Sequence, residues 1–457
     1  MLHWKTLSVA LFACAPLCAL AWGNHSVAAY RALEAMPEVA QASPVVVETL
    51  EAFLKAEELP IEALLESQDA WARSNLTAYP RRPEALAFKA NPKRTDGERR
   101  QAFLQALRVA GDSRFALYLQ SDPADTTELG PPLAYTAVHT LPEPAKTVYR
   151  FVSVKPGQTV TVRNVVATAA QEPDLGLDIN LWDDSPSAWG PTYGFGKLPF
   201  GNPAVNYSTQ APFHMGFFHE DPVVYLAAPF LKRTFPVLRT HQYATLAALA
   251  FRTGHPYWGW RFTGLALHYV QDLTQPYHAS LAPGHSTLSL LATNLMAMLG
   301  RTKAKEELIV LLSNRHLALE KYQAETLWVA STASQSDHPM LRALRNPVED
   351  ARYPAWSDLY VRDVVAAQAK AQANALDAIV VAAMPSQYVL DPAYDFGEHE
   401  DSITLRETLL KSDPARTGPL NNSIAELLGH FGAHSRNAIR GILKAGAMPT
   451  VQNQGKP

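Results

Sequence analysis

Three residues that can bind a metal ion lie close together in the segment 267–278. His268 and Asp272 are four residues apart, so on a helix their side chains face the same way. Pro276 is expected to end that helix and turn the chain, which brings His278 back towards the same point. Because imidazole and carboxylate groups are the usual zinc ligands, this segment predicts part of a metal site.

A second pair with the same spacing, His316 and Glu320, follows within an apolar stretch. Either pair alone is also compatible with a solvated helix surface that carries a salt bridge. Two helices that each present an imidazole and a carboxylate could instead lie side by side and enclose metal ions. The combination of the two pairs therefore favours a site with several metal ligands.

These spacings resemble those of the zinc-dependent phospholipase C family, which shares its fold with the single-strand-specific zinc nucleases. The matching features, in chain order, are Trp22-Gly23, His25, the HxxxDxxxxxH spacing of His268, Asp272 and His278, and the HxxxE spacing of His316 and Glu320. The resemblance covers most of the chain after residue 21, with large insertions. It implies a mainly α fold built as a multi-helix bundle, and three zinc ions.

In that family the amino-terminal Trp binds zinc through its free amino group and its carbonyl oxygen. Trp22 could do the same only if the residues before it are removed. The resemblance also requires an Asp and a His ahead of the central motif. For the Asp, the segment 174–184 offers Asp178, with Asp184 as the second choice, and for the His we select His214, with His219 second.

The implied ligands are Asp178, His214, His268 and Asp272 for one zinc, His278, His316 and Glu320 for a second, and Trp22, His25 and the bridging Asp272 for a third. Asp178 and Asp272 are the predicted catalytic residues, and Asp178 could also orient or deprotonate the attacking water. Zinc lowers the pKa of bound water from about 15.7 towards 7, so a hydroxide can attack phosphorus at neutral pH. Five imidazole ligands favour zinc over calcium or magnesium.

The resemblance implies a phospholipase C that hydrolyses the glycerol-side phosphoester of phospholipids such as phosphatidylcholine at a membrane surface. The HxxxE ending resembles the bacterial phospholipases more than the nucleases, which usually end in HxxxD. A single-strand nuclease or 3′-nucleotidase of the same fold is the alternative, and nucleic acid is a partner only under that interpretation. A zinc- or lipid-binding envelope protein is the non-enzymatic alternative.

The elements that must position these residues begin after a predicted signal peptide at residues 1–21. Lys5 precedes a short apolar run, and Ala19-Leu20-Ala21 has the small-x-small pattern of a cleavage site, so we expect export and cleavage before Trp22. Both cysteines, Cys14 and Cys18, lie in this segment, so stability must come from the core and from metal. Beyond it, no apolar stretch is long enough to span a membrane.

The charge of the chain is nearly balanced, with 40 Lys and Arg residues against 43 Asp and Glu residues. A net charge of −3 does not favour a polyanionic partner. With 457 residues, the chain is long enough for a substantial core. We expect a helical catalytic domain at 22–330 and a helical C-terminal extension, 331–457, packed on it.

Helical spacing of apolar residues dominates the sequence, except in an insertion at about 130–210. Two β-branched and aromatic runs at 147–154 and 159–166, joined by the turn sequence Lys-Pro-Gly-Gln, predict a β-hairpin there. The segment 171–211 is rich in Pro, Gly, Asn and Trp and predicts an ordered loop over the site. Its aromatic side chains Trp182, Trp189, Tyr193 and Phe195 are the predicted contacts for a lipid or a base.

Overall fold

The computed structural model describes residues 22–125, 127, 130–143, 150–333 and 335–447, so the predicted signal peptide lies outside the described residues. Within these ranges the protein is mainly helical, as the sequence predicts. The first helices are α1 His25–Glu34, α2 Pro37–Ala40, α3 Leu50–Ala56, α4 Glu58–Asn75, α5 Asp96–Leu107, α6 Val162–Gln171, α7 Gly190–Tyr193, α8 Ala211–His214, α9 Pro222–Ala227 and α10 Pro236–Arg252.

The second half of the chain holds the helix that carries the central motif and the helices that surround it. They are α11 Pro256–Asp272, α12 Pro276–Ala279, α13 Thr287–Met298, α14 Lys303–Thr332, α15 Pro339–Arg345, α16 Ala367–Ala383, α17 Ser386–Leu390, α18 Phe396–His399, α19 Leu405–Leu410 and α20 Pro414–Gly446. A π-helical segment, Val361–Ala366, leads into α16. Short 3₁₀ helices occupy Glu84–Leu86, Tyr135–Ala137, Glu172–Leu175, Asn206–Gln210, Pro229–Lys232, Pro347–Arg352 and Glu400–Ser402.

Five short strands form two small antiparallel sheets in the described part of the chain: β1 Val45–Val46, β2 Tyr118–Gln120, β3 Pro132–Leu133, β4 Phe151–Ser153 and β5 Thr159–Val160. The order of the larger sheet is β2-β4-β3, and β1 pairs with β5. In the larger sheet Leu119 lies opposite Val152, and in the smaller one Val45 lies opposite Val160. Both sheets lie at the edge of a helical core.

The predicted β-hairpin is wrong. Its two runs supply β4 and β5, but these strands pair with different partners, and residues 144–149 lie outside the described residues. The predicted turn is present, because Gln158 N donates to Lys155 O and Gly157 has a φ of 84°. After β5 the chain enters α6 instead of continuing as a strand. The Thr161 side chain caps that helix by accepting a hydrogen bond from Asn164 N.

Helix α11 lies at the centre of the fold, since every residue from 257 to 272 is buried. It packs against α6, α10 and α20, which cover its sides. A helix that is buried on all faces is expected to be largely apolar and to pair the few polar side chains that it carries. Tyr257, Trp258, Trp260 and Phe262 accordingly form part of the core.

The core is shared between the two halves of the chain. The larger cluster joins Trp258 and Phe262 of α11 to Ile439 of α20. A second cluster joins Trp22 and Tyr277 to residues of α14, α16 and α20. The segment after residue 331, predicted as an extension, therefore contributes to the same two clusters as the residues before it.

The aromatic side chains predicted to contact substrate are instead part of a third cluster. Trp182 and Tyr193 are fully buried, and Phe195 packs with them against Phe213 and Phe235. Trp189 is partly buried against the same cluster. The prediction that they face a ligand is wrong, because aromatic residues in an irregular segment can equally fill a core beneath it.

The contact between α6 and α11 yields a test of this packing. A Cβ on Gly264 would lie 2.5 Å from Val166 O and 2.5 Å from Ala169 Cβ. We expect Gly264→Val to lower the free energy of unfolding by about 2 kcal/mol or more, because the two helices must move apart. Gly97 in α5 has open space, so Gly97→Ala is the control, with a gain of up to about 1 kcal/mol. Urea unfolding measures both, and equal stabilities would contradict the close contact.

Candidate metal centre

The last turn of α11 places His268 and Asp272 side by side, as their spacing predicts. Both side chains are fully buried, and His268 Nε2 lies 3.3 Å from Asp272 Oδ2. His268 Nδ1 donates to Ala170 O at 2.8 Å, which leaves the Nε2 lone pair free to bind a cation. Helix α11 ends at Asp272, and Pro276 begins the short helix α12, which carries His278 round the corner.

A first group of potential ligands consists of His25, His268 and Asp272. His25 opens α1, and its Nε2 lies 3.2 Å from Asp272 Oδ1. The rings of His25 and His268 are 4.2 Å apart between centroids. His25 Nδ1 lies 2.9 Å from Gln271 Oε1, and the Gln271 amide donates to Ser435 Oγ on α20. Helix α20 thus helps to orient His25, a candidate ligand close to Trp22 in the sequence.

A second group consists of Asp174, His214 and His268. His214 ends the short helix α8, and its Nδ1 lies 2.9 Å from both Asp272 Oδ2 and His268 Nε2. Asp174 Oδ1 lies 3.5 Å from His268 Nε2 and 3.8 Å from His214 Nδ1. Asp272 therefore directs one oxygen to the first group and the other to the second.

The third group is His278, His316 and Glu320. His278 Nε2 lies 3.0 Å from His316 Nε2, and Glu320 Oε1 lies 2.7 Å from His316 Nε2 and 3.4 Å from His278 Nε2. His278 Nδ1 donates to His214 O at 2.9 Å, which joins this group to the second. The Gln275 amide donates to Glu320 Oε1 at 3.1 Å and holds that carboxylate in place.

These groups fit a bound cation. Several of their atoms are buried and have no hydrogen-bond partner among the described residues: His25 Nε2, Asp174 Oδ1, Asp272 Oδ1 and Glu320 Oε2. Buried polar atoms are almost always paired, and buried carboxylates need a compensating charge. Imidazole nitrogens combined with carboxylate oxygens are a donor set that suits zinc. The side chains thus form candidate sites for metal ions.

The charges within the centre shift the pKa values of its members. Burial raises the pKa of Asp174 to about 7. Burial alone would lower the pKa of His214, but Asp272 and its neighbouring carboxylates raise it to about 10. Burial would raise the pKa of Glu320, but His316 and His278 lower it to about 2. The neighbouring carboxylates therefore favour the charged form of His214, and the neighbouring imidazoles favour the charged form of Glu320. Burial favours the neutral form of Asp174.

The structure places Asp178, a predicted ligand, outside the three groups. Its Oδ1 accepts from Arg239 Nε at 2.8 Å and Nη2 at 2.7 Å, and its Oδ2 accepts from the Tyr269 hydroxyl at 2.6 Å. Its Oδ2 also lies 3.5 Å from His214 Nε2, on the far side of that ring from the metal ligands. Asp178 is thus placed to orient His214. The carboxylate that lies beside His214 and His268, where Asp178 was predicted, is that of Asp174.

This environment also argues against Asp178 as a base. Burial opposes ionisation, but the Arg239 guanidinium and His214 lower the pKa of Asp178 below its usual value. A carboxylate that is already engaged by a buried guanidinium is a weak proton acceptor. The sequence analysis did not predict Asp174 as a ligand, because it selected only Asp178 and Asp184 from the segment 174–184. No spacing in the sequence identifies Asp174, because it lies in the short 3₁₀ helix that follows α6.

The two second choices lie outside the centre. Asp184 is exposed, and its Oδ1 accepts a hydrogen bond from Leu198 N. His219 is exposed as well, and its Nε2 lies 2.7 Å from Arg362 O. Of the two candidate histidines, the structure brings only His214 to the metal groups.

Trp22 lies next to the third group. Its indole is fully buried and donates from Nε1 to Thr274 Oγ1 at 3.0 Å. A Cβ on Gly23 would lie 2.8 Å from Ala324 Cβ and 3.7 Å from Glu320 O, so this segment packs closely on α14. Chelation through a free amino group of Trp22 stays a prediction, because that group exists only after cleavage before it.

An apolar pocket of about 100 Å³ reaches the centre from one side. His316 is part of its wall, together with Phe217, Leu231 and Ile309. A ligand in it would contact the third group.

No family model, curated protein or solved structure matched this chain. None of the described helices is both long and apolar enough to cross a membrane.

Substitution of Asp174 tests the revised ligand set. We expect Asp174→Asn to bind about one zinc fewer per chain than the parent, because an amide is a poor replacement for an anionic ligand. Asp184→Asn is the matched control and should leave the metal content unchanged, since Asp184 is exposed. Elemental analysis of the purified chains gives the ratios, and equal zinc in all three would contradict the placement of Asp174.

Proposed function

We propose that this chain is an exported, zinc-dependent phosphodiesterase of the phospholipase C type. Its reaction is hydrolysis of the glycerol-side phosphoester of phospholipids such as phosphatidylcholine. The observation that carries this proposal is that three groups of histidine and carboxylate side chains converge. The first two groups share His268, and Asp272 directs one carboxylate oxygen to each of them.

The chain would hold three zinc ions at these groups. When bound, zinc lowers the pKa of a water ligand towards 7 and stabilises negative charge on phosphoryl oxygens. Asp272 presents one oxygen to each of two groups, so it can hold two cations at a fixed separation. Asp178 and Gln271 keep the His214 and His25 rings in the orientation that binding requires. After cleavage, the amino group of Trp22 would add a further ligand.

The pocket beside His316 supports a lipid substrate. Its wall is largely aliphatic and aromatic, with Phe200, Met215 and Leu312 among its residues. Apolar surface of this kind suits the hydrocarbon part of a phospholipid, whose phosphate would then lie against the metal groups. A single-strand nuclease, in contrast, requires a positively charged groove and aromatic faces for stacked bases. We therefore favour a phospholipid substrate over a single-stranded nucleic acid.

The two activities are distinguished by parallel assays on the chain that starts at Trp22. We expect release of diacylglycerol from phosphatidylcholine, and a fall of about 100-fold or more in Asp272→Asn, because that variant loses the carboxylate between two groups. Asp184→Asn serves as the control and should keep parental activity.

Nucleotide release from single-stranded DNA without diacylglycerol release would replace the proposal with the nuclease. Tightly bound zinc with neither activity would instead favour a zinc- or lipid-binding envelope protein. Diacylglycerol release that Asp272→Asn leaves unchanged would show that the activity arises elsewhere.

A further inference from the structure

An exposed apolar surface, formed by α9 and α13, lies beside the pocket. On α13 the side chain exposure is 77% for Leu288, 58% for Leu295 and 61% for Met298. Leu226 on α9 is 83% exposed. Large apolar side chains that are exposed singly are common, but a group of them on adjoining helices marks an interaction site. We refer to this region as the α9–α13 surface.

Helix α13 has the composition of a helix that lies in an interface. Its twelve residues, Thr287–Met298, are apolar or uncharged throughout, and none of them is fully buried. Twelve residues are too few to span a membrane, but an apolar helix of this length can enter the boundary between head groups and acyl chains. The first turns of α14, which pack against it, also contain only partly buried or exposed residues up to Leu312.

A continuous apolar path connects the α9–α13 surface to the metal centre. A second pocket, of about 80 Å³, is lined by Val224 of α9, Leu290 of α13 and Leu308 of α14. It shares Leu231 and Ile309 with the pocket that reaches His316. The two pockets therefore adjoin, and together they lead from the exposed helices to a candidate metal ligand.

We infer that the α9–α13 surface docks on a phospholipid membrane and that the apolar path receives an acyl chain of one lipid. This inference rests on the proposed function for the identity of the reaction, but the docking itself does not require hydrolysis. Docking would place the metal centre near the head groups, where the phosphoester lies.

A lipid surface accounts for features that a protein partner does not. A narrow path with aliphatic walls that reaches a metal group fits an extended hydrocarbon chain. At the end of α13, Arg301 and Lys303 are exposed, as is Glu306, and Lys303 lies 3.6 Å from Glu307. Cationic side chains at the edge of an apolar surface are attracted to lipid phosphates. Asp221, the acidic residue just before α9, accepts a hydrogen bond from Thr287 and is thereby engaged within the surface.

Flotation with phosphatidylcholine vesicles tests the docking without reference to catalysis. We expect the zinc-loaded chain to float in the cold, and the triple variant Leu288→Ser, Leu295→Ser, Met298→Ser to bind at least about ten-fold more weakly, because it loses exposed apolar area. The matched control replaces three exposed leucines elsewhere, Leu59, Leu390 and Leu410, by serine and should float like the parent. Because all six positions are exposed, both variants should fold.

The inference is overturned if the parent does not float, or if the parent and the triple variant float equally. It is also overturned if the parent is a dimer in solution that the triple variant separates, because the surface would then join two copies of this chain. Vesicle binding that the control variant reduces as much as the triple variant would overturn it too, because the binding would then not depend on the α9–α13 surface.

The apolar path has a separate test. Ile309→Trp would fill the point where the two pockets adjoin, and we expect it to reduce hydrolysis of long-chain phosphatidylcholine in vesicles by about ten-fold or more while zinc content is kept. Hydrolysis of water-soluble p-nitrophenyl phosphorylcholine should be unchanged, since it has no acyl chain. Equal loss on both substrates would contradict the path. Flotation without any phospholipid hydrolysis would leave the docking intact and overturn the proposed function instead.

Discussion

The carboxylate of Asp272 is the constraint on which the rest of the structure depends. It lies fully buried at the end of α11, with Oδ1 towards His25 and Oδ2 towards His214 and His268. A buried carboxylate is costly unless positive charge surrounds it. The histidines supply ligand nitrogens at that point, and a set of imidazoles around a shared carboxylate is suited to more than one cation. Helices α1, α8 and α11 must therefore meet at one place, which explains why α11 is covered on all sides.

A second ring of polar contacts holds the ligands in position. Arg239 and Tyr269 fix Asp178, which faces the far side of the His214 ring. Gln271 connects His25 to Ser435, so α20 takes part although Ser435 lies more than 400 residues after His25 along the chain. Such outer contacts set the direction of each imidazole lone pair before any metal binds. Their loss would loosen the centre without removing a ligand.

The sequence predicts the parts of the centre that lie on single helices. His268 and Asp272, and likewise His316 and Glu320, follow from the four-residue helical period, and the position of His278 follows from the turn at Pro276. Asp174 could not be chosen in this way, since it lies in an irregular segment where spacing does not fix direction. The hairpin failed for a related reason: β-branched residues at 159–166 suit a strand, but Val165 and Val166 pack in the helical core beside α11. Contacts between segments that are distant in sequence, and not local spacing, therefore determine the structure at Asp174 and at residues 159–166.

We propose that three groups of this chain, two of which share His268, hold zinc. It is tested most directly by X-ray diffraction from crystals of the zinc-loaded chain starting at Trp22, with anomalous data collected on both sides of the zinc absorption edge. Three anomalous peaks are predicted at about 2.0–2.3 Å from ligand nitrogen and oxygen atoms. One should lie at His25 and Asp272 Oδ1, one at Asp174, His214, His268 and Asp272 Oδ2, and one at His278, His316 and Glu320. Fewer than three peaks, or peaks away from these residues, would contradict the account.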